Sequence, residues 1–142
     1  MKKKIVFICS GNTCRSPMAE AIFNALSKNP DVTAVSCGLY AAPSLPATSG
    51  AQNAVKKYGA DLSGHLSRPA TEELLKDASA IYCMTSAHAE AVKAAHPRLQ
   101  HIVYMLDSVD VFDPFGASDE VYQLTARQIY KCIRRILGTN EG

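Results

Sequence analysis

The feature that most constrains this chain is a short apolar segment that leads directly into a polar loop and then into a helix. Residues 5–8 are apolar without interruption, which is typical of a strand covered on both faces. The loop of residues 9–17 follows, and a helical pattern begins near Met18. In such a connection the backbone N–H groups of the loop and the helix dipole favour negative charge at one point. The sequence therefore predicts an anion site with Cys9 at its floor.

Side chains of this loop suit chemistry on a phosphoryl group. A positive field favours the thiolate of Cys9, which is the nucleophilic form. Arg15 offers a planar fork of donors that matches two phosphoryl oxygens. We expect Ser16 to cap the helix and Pro17 to take its first position, where a missing N–H costs little. The alternative is an inert cysteine at the end of a core strand, which leaves Arg15 and the Ser-Pro start unexplained.

Strand and helix patterns alternate along the rest of the chain. Strands are expected at residues 4–9, 32–37, 80–84 and 102–106. Helices are expected after Pro17, at 51–58, from 71, at 86–95 and from 118, with Gly59 and Gly138 ending the second and the last. This alternation predicts a single α/β domain over residues 1–142, with a four-stranded parallel sheet and helices on both faces. Ligands of such sheets bind beyond the carboxyl ends of the strands, where Cys9 lies.

Composition excludes several classes of protein. A formal net charge of +2 gives no argument for nucleic acid or a membrane as partner. No apolar run approaches the length of a membrane span or signal-peptide core, so we expect a cytoplasmic protein. Five cysteines, an odd number, favour reduced thiols, and three are expected in the core: Cys37, Cys83 and Cys132. Three histidines lack metal-ligand spacing with cysteines or acids and are expected at the surface, without a metal: His88, His96 and His101.

A catalytic acid is expected in the loop after the fourth strand. A cysteine that attacks phosphorus needs a proton donor for the leaving atom and later a base for water. Asp113 precedes Pro114, and Gly116 permits a tight turn. Asp-Pro pairs are common in turns, so only the combination with the cysteine loop assigns this role. The neighbouring acids are expected to be solvated or to cap helices: Asp107, Asp110 and Asp119.

The Cys-x5-Arg-Ser spacing of residues 9–16, together with the Asp-Pro-Phe segment of 113–115, resembles the low-molecular-weight protein tyrosine phosphatases. The resemblance implies a four-stranded parallel sheet flanked by helices. It also implies a cysteine-dependent phosphatase that acts on phosphorylated proteins through a thiophosphate intermediate, with Cys9, Arg15 and Asp113 as catalytic residues. We expect neither metal nor cofactor, and a monomer. The expected phosphate- and substrate-binding residues are Ser10, Gly11, Asn12, Thr13, Cys14 and Ser16, with Tyr40 and Phe115 able to line a slot for a phenol ring.

The resemblance also implies a hydrogen-bonded set that supports the loop. In relatives it consists of an asparagine, two serines and a histidine, which correspond here to Asn12, Ser16, Ser36 and His65. An ordinary loop histidine is the alternative for His65. Physically, asparagine tolerates a left-handed backbone position, and the Ser16 hydroxyl can donate to the thiolate.

Cys14 makes the site a candidate for redox sensitivity. It lies near Cys9 through the curl of the loop, so it can act as a resolving thiol that traps oxidised Cys9 as a reversible disulfide. A loop thiol without such a role is the alternative.

The residue at position 13 bears on the substrate. Tyrosine phosphatases of this family usually have a bulky aliphatic residue there and two aromatic residues after the acid-loop Asp-Pro, whereas this chain has Thr13 and a single Phe115. Residues 11–21 resemble the bacterial protein arginine phosphatases, in which this threonine is understood to select phosphoarginine. A threonine hydroxyl could hold the attacking water or a guanidinium N–H. Phosphoarginine is therefore favoured, and a tyrosine phosphatase with a neutral change at Thr13 is the alternative.

A second alternative is a thioredoxin-linked arsenate reductase, which has a similar loop. That chemistry requires two further cysteines about one turn apart after the third strand. Only Cys83 lies in that region, since residues 86–95 contain no cysteine. The reductase is therefore disfavoured.

Overall fold

Four parallel strands form one sheet within residues 2–141, the part of the chain whose backbone this computed structural model describes; side chains are described for residues 2–138. The strands are β1 (Lys3–Cys9), β2 (Val32–Gly38), β3 (Ala80–Cys83) and β4 (Val103–Met105). Their order in the sheet is β2-β1-β3-β4, and every pairing is parallel. The predicted α/β fold with a four-stranded parallel sheet is confirmed.

Helices cover both faces of the sheet. Those of the described chain are α1 (Arg15–Leu26), α2 (Ser49–Val55), α3 (Glu72–Leu75), α4 (Ser86–Ala95) and α5 (Asp119–Glu141), with 3-10 turns at Lys56–Tyr58 and Pro97–Ile102. Helices α1, α2 and α5 share one core with the sheet, and α3 and α4 share the other. No helix within residues 2–141 is both long and apolar enough to cross a membrane.

Strand β1 is buried on both faces because its side chains alternate between these two cores. Phe7 packs in the α1, α2 and α5 core, while Val6 and Ile8 pack in the opposite one, and all three are fully buried. A strand with two apolar faces needs an uninterrupted apolar run. The strand thus carries Cys9 to the carboxyl edge of the sheet between β2 and β3, where the strand order changes direction and a ligand crevice forms.

Two predicted helix ends were wrong. Helix α1 begins at Arg15, one residue before Ser16, with Cys14 at its N-cap position. Ser16 does not cap the helix, because its hydroxyl contacts the Cys9 thiol instead. Gly138 does not end α5, which continues to Glu141. A helical glycine costs only about 1 kcal/mol relative to alanine. The buried stripe that precedes it, which includes Ile129 and Ile133, holds that helix on the core.

The cysteines expected in the core are buried, as predicted: Cys37, Cys83 and Cys132. Burial raises the pKa of Cys37 and of Cys83 to about 12. Both therefore remain neutral thiols, and neither competes with Cys9 as a nucleophile.

Gly38 allows the end of β2 to approach the loop after β1. A Cβ at this position would lie 2.5 Å from the Ser10 carbonyl oxygen and 2.9 Å from the Asn12 backbone nitrogen. We expect Gly38→Ala to lower the free energy of unfolding by about 1–3 kcal/mol, since a packed backbone must shift. Urea unfolding measures this change. Gly64→Ala is the matched control, because a Cβ at Gly64 meets nothing within 4 Å; equal stability of the two variants would contradict the prediction.

Candidate active site

The Cys9 thiol lies at the floor of the loop that joins β1 to α1. Its Sγ is 2.9 Å from the Ser16 Oγ and accepts a hydrogen bond from the Asn12 backbone N–H at 3.3 Å. The residue is only 2% exposed. Both neighbours can donate to sulfur, so the loop is built to hold negative charge on this atom.

Asn12 holds the curl of the loop. Its φ of 58° lies in the left-handed region, and its side-chain Nδ2 donates to the Ser16 Oγ and the Ser36 Oγ, both at 2.9 Å. Its carbonyl oxygen accepts from the His65 Nε2 at 2.8 Å, and its Oδ1 accepts from the Arg68 backbone N–H at 3.0 Å. The structure thus brings together all four residues expected to support the loop.

Arg15 connects the cysteine loop to the acid loop. Its guanidinium is buried; Nη1 donates to the Val111 carbonyl oxygen at 3.1 Å, and Nη2 lies 3.7 Å from the Asp113 Oδ2. The Asp113 side chain is 56% exposed, and its Oδ1 accepts from the Phe115 backbone N–H at 3.1 Å. The acid expected from the sequence therefore lies beside the arginine, at the mouth of the site.

Two acids before Asp113 anchor the acid loop. Asp110 Oδ1 accepts from the Ser86 backbone N–H at 2.9 Å, so it caps the start of α4, one of the two roles expected for it. Asp107 is neither solvated nor a helix cap. It binds α5 instead, accepting from the Gln128 Nε2 at 3.0 Å and the Arg135 Nη2 at 3.4 Å. These contacts, led by the Gln128 hydrogen bond, hold the pKa of Asp107 below its ordinary value.

A cavity of about 170 Å³ opens above Cys9. It is lined by Cys9, Ser10, Gly11, Thr13, Cys14, Arg15, Asp113 and Phe115. Asn12 and Ser16 lie behind this wall, fully buried. Tyr40 is 78% exposed and is not among the lining residues; its backbone N–H donates to the Ser10 carbonyl oxygen at 2.9 Å. Five of the eight residues expected to bind phosphate or substrate thus line the cavity: Ser10, Gly11, Thr13, Cys14 and Phe115. Asn12 contacts the thiol from behind the wall, through its backbone N–H.

The Cys14 thiol contacts two hydroxyl groups that the sequence did not indicate. Its Sγ lies 3.3 Å from the Tyr122 hydroxyl and 3.4 Å from the Thr48 Oγ1, which are themselves 2.9 Å apart. Burial, followed by the hydrogen bond with Cys14, raises the pKa of Tyr122 to about 12. These contacts hold Cys14 in the cavity wall, and its disulfide with Cys9 stays a prediction.

His88 was expected at the surface, and that expectation is wrong. It is 6% exposed, and its Nε2 lies 2.8 Å from the Ser10 Oγ. The reason is positional: α4 starts three residues after β3, so its first turn faces the carboxyl edge of the sheet beside the cysteine loop. Of the other two histidines, His101 is exposed and His96 is half-buried near Glu72.

Comparison with known proteins identifies the family. The family model for low molecular weight phosphotyrosine protein phosphatase matches residues 4–140. The chain belongs to this family. A protein-arginine-phosphatase of Bacillus subtilis is 35% identical over 140 residues, which cover 93% of this chain and 93% of the relative. The expected phosphatase activity is therefore confirmed.

Similar proteins of known structure include one named as a tyrosine phosphatase and one named as an arginine phosphatase. A low molecular weight protein tyrosine phosphatase from T. tengcongensis has a TM-score of 0.92 at 36% identity, over 97% of this chain and 99% of that one. A YwlE arginine phosphatase mutant with a phosphorylated active-site serine has a TM-score of 0.91 at 33% identity, over 97% and 95% of the two chains. Since the identities are similar, membership of the family does not choose the substrate.

Proposed function

We propose that this phosphatase removes the phosphoryl group from phosphorylated arginine side chains of proteins. The observation that carries the proposal is that Thr13 lines the same cavity as Cys9 and Asp113. A hydroxyl there offers an acceptor to a guanidinium N–H or a hold on the attacking water, whereas an aliphatic residue would pack against a phenyl ring.

In the proposed first step the Cys9 thiolate attacks phosphorus in line. The S–P bond forms and the P–N bond breaks, while Asp113 gives its proton to the leaving nitrogen. Arg15 and the backbone N–H groups of residues 10–15 hold the equatorial oxygens as charge develops on them. Hydrogen bonds from Ser16 and from the Asn12 N–H stabilise the thiolate before attack. A mutant relative that carries phosphate on its active-site serine supports a covalent intermediate.

In the proposed second step water attacks the thiophosphate. Asp113, now a carboxylate, takes a proton from the water, the new O–P bond forms, and the S–P bond breaks to return the thiolate and inorganic phosphate. The carboxylate is suited to both roles because it is exposed at the mouth of the cavity. Its Oδ2 lies 3.7 Å from the Nη2 of Arg15, the side chain that we propose holds the phosphoryl oxygens.

Thr13→Ile tests the substrate. We expect the wild-type enzyme to have the higher kcat/KM on a phosphoarginine peptide than on the matched phosphotyrosine peptide. The variant should shift that ratio toward phosphotyrosine by at least about tenfold, since it replaces a polar contact with an apolar one. Thr33→Ile, at an exposed position of β2, is the control and should leave the ratio unchanged. The same ratio in wild type and Thr13→Ile would overturn the role of Thr13.

A tyrosine phosphatase is the second candidate, and one observation favours it. Phe115 lines the cavity with its side chain largely exposed, so a phenol ring could stack on it. A wild-type preference for the phosphotyrosine peptide in the same experiment would establish this alternative.

Asp113→Asn is expected to separate substrates by their leaving groups. The amide cannot donate a carboxyl proton, so hydrolysis of an alkyl or unactivated phosphate should slow by about 10²- to 10⁴-fold. A nitrophenyl phosphate, whose leaving group needs little protonation, should lose less. Steady-state kcat on a series of leaving groups measures the difference, and Asp61→Asn, at an exposed turn, is the control. An equal loss along the whole series would remove the acid role from Asp113.

The proposed setting is the cytoplasm. The nucleophile must be a free thiol, and cytosolic redox buffers keep thiols reduced; all five cysteines are free in this structure. We also propose that the enzyme acts as a monomer on phosphorylated proteins, since residues of one chain supply the nucleophile, the arginine and the acid.

A further inference from the structure

A partly buried hydrogen bond joins the cysteine loop to helix α4. Ser10 directly follows the nucleophile at the end of β1, and His88 lies in the first turn of α4, after the neighbouring strand β3. The Ser10 Oγ and the His88 Nε2 are 2.8 Å apart. Ser10 also lines the cavity above the thiol, whereas His88 lies behind it. The pair therefore runs from the cavity wall into the protein interior.

The surroundings of His88 decide which of its nitrogens carries hydrogen. Burial, and secondarily the positive charge of Arg15, lowers the pKa of His88, while Asp110 and Asp113 oppose that shift, so the ring is neutral at neutral pH. Its Nδ1 is buried and has no hydrogen-bond partner among the described residues. Among buried backbone groups, an N–H without an acceptor is rarer than a carbonyl without a donor, and we apply the same preference to the ring nitrogens. The favoured tautomer thus has a bare Nδ1 and a hydrogen on Nε2.

In this tautomer the direction of the hydrogen bond is fixed. The Nε2–H of His88 donates to the Ser10 Oγ, and a hydroxyl that accepts one hydrogen bond keeps its own hydrogen to donate. Ser10 lies in the wall of a cavity built to hold an anion, so a phosphoryl oxygen is the natural acceptor. A chain of donors that ends on an anion is polarised along its length, which strengthens each bond.

We propose that the Ser10 hydroxyl donates a hydrogen bond to the phosphoryl group and that His88 is the positioning residue that directs it there. This inference rests on the proposed function only in that a phosphoryl group occupies the cavity. It is independent of the choice between arginine and tyrosine, because the phosphoryl oxygens are common to both substrates.

The test measures the dissociation constant of inorganic phosphate by calorimetry at neutral pH. Ser10→Ala and His88→Leu should each raise it by about three- to tenfold, as expected for one lost hydrogen bond. The double variant should be no weaker than the weaker single variant, because both break the same chain. His88→Gln places an amide N–H near the position of Nε2 and should restore binding to within about twofold of wild type.

Several results would overturn the proposal. They are unchanged phosphate binding in Ser10→Ala, additive losses in the double variant, or binding by His88→Gln as weak as by His88→Leu. The ¹⁵N chemical shifts of the His88 ring report its tautomer independently. A hydrogen on Nδ1 instead of Nε2 would also contradict the proposal. If His88→Leu does not fold, phosphate binding by Ser10→Ala and the observed tautomer of His88 still test the proposal.

The same variants keep this inference separate from the proposed substrate. Ser10→Ala should lower kcat/KM on phosphoarginine and phosphotyrosine peptides by the same factor, because it removes a contact to the group they share. A preference for phosphotyrosine in the wild type would refute the arginine specificity and leave this outcome intact. A change in the peptide ratio in Ser10→Ala would refute the present inference.

Discussion

Cys9→Ser is expected to abolish measurable turnover, with a loss of at least about 10⁴-fold in kcat on an aryl phosphate. Serine nearly preserves the shape of the side chain and can keep hydrogen bonds to the Ser16 hydroxyl and the Asn12 N–H. What it removes is the anionic nucleophile, since a hydroxyl without an adjacent general base is not ionised at neutral pH. Losses of this size follow removal of a covalent nucleophile in other enzymes.

Phosphate binding distinguishes the loss of the nucleophile from damage to the phosphate-binding loop. The loop N–H groups and Arg15 remain in Cys9→Ser, so inorganic phosphate should bind with a dissociation constant close to that of wild type. Cys132→Ser makes the same chemical change on the buried face of α5, and the folded fraction of this variant should retain turnover. A wild-type rate in Cys9→Ser, or an equal loss in folded Cys132→Ser, would remove Cys9 from the role of nucleophile.

The sequence predicted the architecture because local patterns and fold agree along β1 and its loop. An uninterrupted apolar strand is typical of the centre of a parallel sheet, and a loop that begins at the carboxyl end of a central strand faces the ligand crevice. This places Cys9 and Arg15 without any knowledge of long-range contacts. Asp113 needed the resemblance as well, since an Asp-Pro turn is chemically ordinary until a nucleophile is known to lie opposite.

The contributions of His88 and Tyr122 could not be predicted in the same way. Each reaches the site through a long-range contact, from α4 and α5 respectively, and no local spacing encodes it. The one available signal for His88 is its place in the first turn of a helix that follows a strand, because such turns face the carboxyl edge. The expectation that Ser16 caps α1 fails for a related reason. Its hydroxyl has a better partner in the buried Cys9 sulfur than in the backbone N–H groups of its own helix.

Arg15→Lys is expected to lower kcat by at least about a hundredfold although it keeps the positive charge. The guanidinium is buried and its planar fork serves two purposes, donating to the Val111 carbonyl oxygen and facing the Asp113 carboxylate. In the transition state the same fork can hold two equatorial oxygens at once, which a lysine ammonium cannot match. Steady-state kinetics on an aryl phosphate measure the loss. Arg98→Lys, an exposed partner of Glu72, is the matched control and should stay within about twofold of wild type.

The leaving-group dependence of Arg15→Lys distinguishes two roles of the guanidinium, stabilising the equatorial oxygens and positioning the acid loop. If the fork acts on the equatorial oxygens, the loss should be the same for good and poor leaving groups, because those oxygens are common to all phosphate esters. If its main effect were to position the acid loop through Val111, poor leaving groups should suffer most, as in Asp113→Asn. We expect the uniform loss, since Asp110 and the Val111 N–H bond to Met84 also anchor that loop. Retention of activity within about tenfold in Arg15→Lys would contradict both roles.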